Sequence, residues 1–299
     1  KRRAKPSFFI CHQCFLLQQH YKRGFFCPDS KLIIGRDGVS LMAVTAVARA
    51  KINLTLDVLG KRPDGYHELE MVMQSIELHD DLEFCPAGRD ISLTIEGSDL
   101  SPGPDNLVYR AAELIRRQGR IRTGVQIRLV KAIPVAAGLG GGSADAAAAL
   151  RALNEFWKTG LSLSELMSLG EQLGSDVPFC LVGGTALARG KGEQLSQLPA
   201  CPRLGLVLVK PKFSVSTASV YSAYAPGPAV RRPDNQAMIA AIRNSDISGI
   251  AANLANALES VTIRLHPEIL EIKTKLLGAG ALGVLMSGSG PTVFGLAEN

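Results

Sequence analysis

The strongest constraint on this chain is a glycine-rich segment that lies between a predicted strand and an alanine-rich predicted helix. Glycine allows a ligand to approach the backbone closely and tolerates positive φ angles. The start of the helix adds unpaired N–H groups and the positive end of the helix dipole. Together these features predict an anion site suited to phosphate groups. The segment comprises Pro134, Val135, Ala136, Ala137, Gly138, Leu139, Gly140, Gly141, Gly142, Ser143 and Ala144.

Three other interpretations of this loop fit less well. A Walker-type loop places a lysine just before its helix, and this loop contains none. A dinucleotide fingerprint would have glycine at Ser143 and a second parallel strand that ends in an acidic residue. The chain instead continues to a Gly-Ser-Asp-Val-Pro turn that contains Asp176. A glycine turn that merely packs on a sheet is disfavoured by four glycines in the five positions 138–142.

A second glycine- and serine-rich loop, residues 287–292, lies between two predicted strands near the end of the sequence. Taken alone, it would be interpreted as a hairpin turn. Paired with the first loop, it could close over a substrate.

The spacing of apolar residues predicts an α+β fold. Residues 46–58 alternate between apolar and polar, which predicts a strand with one buried and one polar face. Further strands are predicted at 71–83, 91–95, 124–131, 184–189, 204–210, 281–286 and 292–296. Helices are predicted at 106–118, 143–157, 162–173, 235–243, 250–260 and 267–277. Ser162 and Glu165 have the spacing of a capping box.

The net charge of +6 is concentrated in residues 1–41, which hold eight basic and two acidic residues. The other 258 residues carry 25 of each, a net charge of zero. A nucleic-acid-binding domain would show a basic face on its folded part, so we predict no nucleic-acid partner. No stretch reaches the about 18 apolar residues of a membrane-spanning helix, so we also predict no membrane partner.

Composition divides the chain into three parts: an extension over 1–41, predicted to be disordered or non-native, and domains over 42–198 and 199–299. Met42 is a plausible start, because an interpretable sequence pattern begins just after it, and this favours a bacterial cytosol over a plastid. Scattered cysteines indicate buried thiols in a reducing compartment. Cys11 and Cys14, with His20 and Cys27, could form a metal site, but no second CxxC follows at zinc-ribbon spacing.

Three motifs in order resemble the GHMP kinase superfamily, which includes galactokinase and the homoserine, mevalonate and phosphomevalonate kinases. They are residues 50–54 with 63–67, residues 138–147, and residues 287–292. The Lys-x-Asn, Arg-x-Asp-Gly-Tyr-His and Gly-Ser-Asp-Val-Pro-Phe segments are similar to those of 4-diphosphocytidyl-2-C-methyl-D-erythritol kinases. The resemblance runs from about Ala46 to the end of the sequence, and it predicts further residues after Asn299.

The resemblance implies a two-domain fold with an N-terminal domain like ribosomal protein S5 domain 2 and a C-terminal ferredoxin-like α/β domain. It implies phosphorylation, with ATP and Mg²⁺, of the 2-hydroxyl of 4-diphosphocytidyl-2-C-methyl-D-erythritol in the non-mevalonate isoprenoid pathway. The protein would be a monomer or homodimer with a small-molecule substrate. Asp176 would be the catalytic base, and Lys51 would keep its carboxylate ionised. Phosphoryl transfer depends mainly on such positioning and electrostatics.

The same resemblance assigns the remaining site residues. Tyr66 and His67 would hold the cytidine ring, since an aromatic face stacks on a pyrimidine. Asn53 lies two residues from Lys51 on the same strand face, roughly 7 Å away. Ser143 is the candidate Mg²⁺ ligand. Substrate binding is predicted for Asn53, Tyr66, His67, Thr217, Ser287, Gly288, Ser289 and Gly290, and nucleotide binding for Asn106, Lys131 and residues 134–144.

Two alternatives stay open at this point. Another GHMP kinase, of the homoserine or mevalonate type, would not need the Tyr66–His67 arrangement. A non-catalytic nucleotide-binding protein on this fold would not need the intact Lys51 and Asp176.

Overall fold

A computed structural model of the chain describes residues 43–225, 227 and 231–298, together with the short strands at 15–16, 33–34 and 40–41. The strands are β1 (Phe15–Leu16), β2 (Ile33–Ile34), β3 (Ser40–Leu41), β4 (Val44–Lys61), β5 (His67–Ala87), β6 (Ile91–Glu96), β7 (Gly124–Val130), β8 (Thr185–Gly190), β9 (Gln194–Gln197), β10 (Gly205–Lys210), β11 (Ala255–Asn256), β12 (Gly283–Met286) and β13 (Val293–Ala297). The helices are α1 (Leu107–Gln118), α2 (Gly141–Phe156), α3 (Leu163–Glu171), α4 (Val177–Val182), α5 (Thr217–Ala223), α6 (Asn235–Arg243), α7 (Ile247–Ala252), α8 (Glu259–Leu265) and α9 (Glu268–Gly278).

The larger sheet is built around the long antiparallel pair β4 and β5. Its order is β11-β4-β5-β7-β6, and β8 pairs with another part of β5 and carries β9. The β4–β5 register shifts between Arg49 and Lys51 and again between Asn53 and Thr55. Such bulges bend a strand and re-aim its side chains. The segment from Lys51 to Asn53 therefore lies between two irregularities.

The alanine-rich helix α2 packs closely on this sheet. Ala146, Ala147 and Ala149 are at most 1% exposed, and they belong to a core that also includes Ile52 and Leu54 of β4. Small side chains let the helix axis approach the strands, which places the first turn of α2 beside the bulged part of β4.

The smaller sheet is antiparallel in the order β1-β10-β13-β12. Helix α9 covers it through Ile269 and Ile272, which pack with Met286 and Val293. A further core cluster joins Met71 and its neighbours in β4 and β5 to α5 and α8. The mixed α+β prediction is confirmed, while the domain boundary near residue 198 stays a prediction.

Three local predictions were wrong, for one helix, one strand face and one cysteine. The helix predicted over 250–260 is divided: α7 ends at Ala252, β11 pairs in parallel with β4, and α8 begins at Glu259. Pairing with β4 overrides the helical pattern there. The capping box of Ser162 and Glu165 is confirmed, with both reciprocal bonds present.

The predicted polar face of β4 is also buried from Lys51 to Asp57. Lys51, Asn53, Thr55 and Asp57 are all at most 6% exposed. The glycine loop covers the first of these, and residues at and before the start of α6 cover the last two, because Thr55 donates to Asn235 and Asp57 is paired with Arg232. Period-two alternation shows which face of a strand is apolar, but it does not show whether other elements cover the polar face.

The expectation of thiols throughout was wrong at Cys85, which is disulfide-bonded, while Cys180 and Cys201 are free. Spacing along the chain does not report which sulfurs meet in space. The candidate metal site at Cys11–Cys14 lies outside the described residues. Within the described ranges, no helix combines the length and the apolar character that crossing a bilayer requires.

Candidate active site

A cavity of about 450 Å³ lies where β4, the two glycine loops and α5 converge. Most of the predicted site residues line it, whereas Ala144, Tyr66, His67, Ser287 and Gly290 lie outside its lining. The lining comprises Lys51, Asn53, Leu56, Leu69, Met71, Leu100, Asp105, Asn106, Leu107, Lys131, residues 134–143, Asp145, Ser175, Asp176, Lys191, Thr217, Tyr221, Gly288 and Ser289.

The predicted catalytic pair meets at this cavity. Lys51 Nζ lies 3.2 Å from Asp176 Oδ2 and donates to Asn53 Oδ1 at 2.9 Å. Asp176 occupies the N-cap position of α4, yet its side chain makes no capping bond, so the carboxylate is not committed to the helix. The Lys51 side chain is 6% exposed and that of Asp176 is 28% exposed. The ammonium is therefore enclosed, and the carboxylate is the partner with access to solvent.

The first glycine loop reaches this pair directly. The backbone N–H of Lys51 donates to the carbonyl of Leu139 at 2.9 Å. Gly140 caps α2 with a left-handed φ of 68°, and a Cβ there would lie 3.0 Å from Lys51 Cγ. The glycine therefore lets the first turn of α2, with its unpaired amides, approach the ammonium. Gly138 has a φ of 78°, and a Cβ there would meet the Ser287 carbonyl oxygen at 2.3 Å.

The second loop packs against the first. Ser287 Oγ donates to the carbonyl of Gly138 at 2.9 Å, and the N–H of Thr292 donates to the carbonyl of Ala137. Ser289 Oγ and Thr217 Oγ1 share a hydrogen bond of 2.9 Å. Gly288 and Ser289 face the cavity, whereas Ser287 and Gly290 lie behind it as support.

Aromatic side chains gather around Tyr221, in a part of the cavity that we call the aromatic end. The ring of His67 is 5.1 Å from the ring of Tyr221, which lines the cavity and whose pKa is raised by burial. Tyr66 is 59% exposed at the rim, and Lys191 Nζ lies 5.3 Å from its ring centre. The sequence analysis missed Tyr221 and Lys191. The four-residue spacing of Thr217 and Tyr221 would have indicated Tyr221 had helix α5 been predicted.

A buried ionic cluster, Asp80–Lys131–Asp145, lies beneath the first loop. Lys131 Nζ contacts Asp145 Oδ2 at 2.6 Å and also donates to Asp80 Oδ2. Burial would lower the pKa of Lys131, but the two carboxylates raise it overall. Burial raises the pKa of Asp145 to about 8, and the charge of Asp80 adds to this while Lys131 opposes it. Sequence analysis gave neither aspartate a role.

Asn106 lines the cavity but is committed to local structure. Its Oδ1 accepts from the N–H of Val108 at the start of α1, and its Nδ2 donates to the carbonyl of Ser101 at 3.0 Å. These bonds fix the loop before α1.

The residues at the start of α2 are chemically suited to a divalent cation. Ser143 presents a hydroxyl to the cavity, and Asp145 Oδ1 is buried without a partner among the described residues. Both are oxygen ligands of the kind that Mg²⁺ prefers. Within the described part of the chain no cluster of three metal-binding side chains occurs. A cation here would therefore take most of its ligands from phosphates and water.

Residues 106–184 match the family model for the N-terminal domain of GHMP kinases, and residues 238–299 match the model for their C-terminal domain. The 4-diphosphocytidyl-2-C-methyl-D-erythritol kinase of Pelotomaculum thermopropionicum is 70% identical over 259 residues, which are 86% of this chain and 90% of that protein. The chain belongs to the 4-diphosphocytidyl-2-C-methyl-D-erythritol kinase family. It is an ATP-dependent GHMP kinase.

Other members of this kinase family agree. The Bacillus velezensis kinase is 49% identical over 258 residues, 86% of this chain and 89% of its own. A crystal structure of a 4-(cytidine 5'-diphospho)-2C-methyl-D-erythritol kinase superimposes with a TM-score of 0.73 at 39% identity, covering 86% of this chain and 91% of that one. Homoserine kinase from Cytophaga hutchinsonii, with a TM-score of 0.68 at 21% identity, covers 92% of this chain and 88% of its own, and shares the fold.

Proposed function

We propose that this protein transfers the γ-phosphoryl group of ATP to the 2-hydroxyl of 4-diphosphocytidyl-2-C-methyl-D-erythritol. The observation that carries the proposal is the Lys51–Asp176 pair, which lies between the first glycine loop and the aromatic end of the cavity. A phosphate donor on the loop and a pyrimidine at the far end would bring the acceptor hydroxyl to this pair. The names of the relatives support the choice of substrate.

In the proposed reaction, Asp176 accepts the proton of the acceptor hydroxyl. The hydroxyl oxygen forms a bond to the γ-phosphorus, the bond from that phosphorus to the bridging oxygen breaks, and ADP leaves. Lys51 Nζ lies 3.2 Å from this carboxylate and places a positive charge beside it. The same ammonium offsets negative charge that develops on the transferred group.

The other residues serve to bind and orient. The amides at the start of α2 and the loop residues 134–144 hold the phosphates. Ser143 would hold Mg²⁺, which when bound neutralises phosphate charge. Tyr221, with His67 behind it and Tyr66 at the rim, offers aromatic faces to the cytosine ring. Thr217 and Ser289 lie between the two ends.

The test is a coupled ADP-release assay on the full chain with Mg·ATP and three alcohols in parallel: the cytidylated substrate, mevalonate and homoserine. Turnover with the cytidylated substrate alone is expected, because only that substrate uses the aromatic end. Turnover with mevalonate or homoserine instead would keep the phosphoryl-transfer site and overturn the substrate assignment.

The role of Asp176 is tested by Asp176→Asn. We expect kcat to fall about 10²- to 10⁴-fold, since an amide cannot take the proton, while the affinity for the cytidylated substrate changes little. The matched control is Asp246→Asn, which changes an aspartate at the N-cap of α7, where asparagine caps equally well. Unchanged turnover in Asp176→Asn would remove the base assignment.

A further inference from the structure

The backbone that enters the first glycine loop is anchored by the side chain of Asp80. The N–H groups of Ala132 and Ile133 both donate to Asp80 Oδ1, the latter at 2.7 Å. The next residue, Pro134, has no N–H to donate. These two amides are thus the last backbone donors before the loop begins, and one carboxylate oxygen of β5 accepts both.

The same aspartate is connected to the helix that leaves the loop. Its second oxygen accepts from Lys131 Nζ, and that ammonium also donates to Asp145 Oδ2 in the second turn of α2. The entry and the exit of the loop are therefore joined through one ammonium. Two of the three N–H donors of Lys131 are committed to this junction.

The cluster is enclosed. Asp80 is fully buried, and the side chains of Lys131 and Asp145 are each 4% exposed. Buried ion pairs carry a large desolvation cost, so they are weak contributors to net stability, and in some proteins they fix one geometry instead. The geometry that this cluster fixes is the spacing between the two ends of the phosphate loop.

Other contacts hold only the later part of the loop. The carbonyl of Ala137 accepts from the N–H of Thr292, and that of Leu139 accepts from the N–H of Lys51. The carbonyl of Gly138 accepts from Ser287 Oγ. None of these contacts reaches the entry. A loosened entry would let the segment around Pro134 move while the exit stays in place.

We propose that Asp80 is a positioning residue for ATP, which through the backbone of residues 132–133 and through Lys131 sets the shape of the phosphate loop. It touches neither ATP nor the acceptor alcohol. The inference rests on the part of the proposed function that places ATP phosphates on this loop, and it does not depend on the identity of the alcohol.

The test is Asp80→Asn in the full chain, with Glu83→Gln as the matched control. Glu83 is a buried carboxylate of the same strand, and it is paired with Arg128 of β7 as Asp80 is paired with Lys131, but Glu83 does not touch the loop. Dissociation constants are measured separately for Mg·ATP and for the cytidylated substrate. Amide hydrogen exchange is followed in residues 135–142 of the loop and in strands β5 and β7.

For Asp80→Asn we expect a Kd for ATP weakened about 10- to 100-fold, as befits loss of a charge-assisted, buried bond. The Kd for the cytidylated substrate should stay within about 2-fold, and faster exchange should be confined to the loop. Glu83→Gln should change neither constant. An unchanged ATP constant, or equal weakening for both ligands with faster exchange throughout β5 and β7, would overturn the proposal.

A second variant covers the case in which Asp80→Asn does not fold. Asp145→Asn leaves the Asp80–Lys131 pair in place and weakens only the link to α2, because an amide oxygen accepts from the ammonium less strongly than a carboxylate does. We expect a smaller weakening of ATP binding, about 3- to 10-fold both with and without Mg²⁺, again with faster exchange in residues 135–142. Unchanged ATP affinity together with unchanged loop exchange would refute the positioning role of Asp80. The ATP measurements need no alcohol, so a wrong substrate assignment would be recognised by absent alcohol binding alone.

Discussion

The two glycine loops meet at one cavity but are held by different chemistry. The first is held by charge, through Asp80, Lys131 and Asp145. The second is held mainly by neutral groups: Asn256 Nδ2 donates to the carbonyls of Met286 and Gly288. Thr262 Oγ1 also donates to the carbonyl of Ser289.

The difference has a physical consequence. A charged cluster depends on the balance of its charges, so removal of one member leaves the others buried without compensation. A neutral network loses only the bonds of the group that is removed. The stability contributed by the contacts of the first loop should therefore depend on pH and on changes of charge. The stability contributed by those of the second loop should depend on individual hydrogen-bond donors.

The largest effect is expected for Lys131→Met, which leaves two carboxylates buried without their shared cation. We expect the free energy of unfolding to fall by about 3–5 kcal/mol, as measured by urea denaturation. The control is Lys273→Met beside the second loop, where Lys273 pairs with a partly exposed Glu259 and the loss should be about 1 kcal/mol. Equal losses of unfolding free energy in the two variants would show that the two loops do not differ in their dependence on charge.

The next effect is expected for Asn256→Ala. This change leaves the carbonyls of Met286 and Gly288 and the N–H of Leu258 without their partner, at a cost of about 2–3 kcal/mol in unfolding free energy. Thr292→Val is the matched control, because the Thr292 hydroxyl is buried with no partner among the described residues. That variant should be neutral or stabilising. A loss of unfolding free energy in Thr292→Val would show that the packing around the second loop is sensitive even to a change that removes no hydrogen bond.

The smallest expected effect is a pH dependence of the unfolding free energy that arises from Asp145, beside the first loop. The pKa of Asp145 is raised to about 8 in the folded protein, so its contribution favours folding at low pH and is lost as the pH rises toward 8. From about pH 6 to 8 the unfolding free energy of the native protein should fall by about 2 kcal/mol more than that of Asp145→Asn. Urea titrations at several pH values measure both slopes. Parallel slopes would mean that Asp145 does not titrate in this window.

The sequence predicted the elements whose signal is local. The glycine loop, the capping box at Ser162 and most strands follow from spacing and residue type. The proximity of Lys51 and Asp176 did not, because residues 125 positions apart meet only through the fold. The family resemblance carried that part of the prediction.

The residues that were missed depend on register and on weak elements. Asp80 reaches the loop because β5 pairs with β7, with Asp81 opposite Val130, and no sequence pattern reports that register. Asn256 was assigned to a helix because its two-residue strand exists only through pairing with β4. Tyr221 lies on the short helix α5, whose sequence has little helical periodicity.

Gly138 lies so close to the carbonyl oxygen of Ser287 that a side chain at position 138 would collide with it. The cavity wall is thus made of residues separated by almost the full described length, from Lys51 to Ser289. During synthesis the N-terminal part emerges first and can fold early. The nascent chain nevertheless cannot assemble the complete pocket until both glycine loops have left the ribosome, because Gly288 and Ser289 line the same cavity as the first loop.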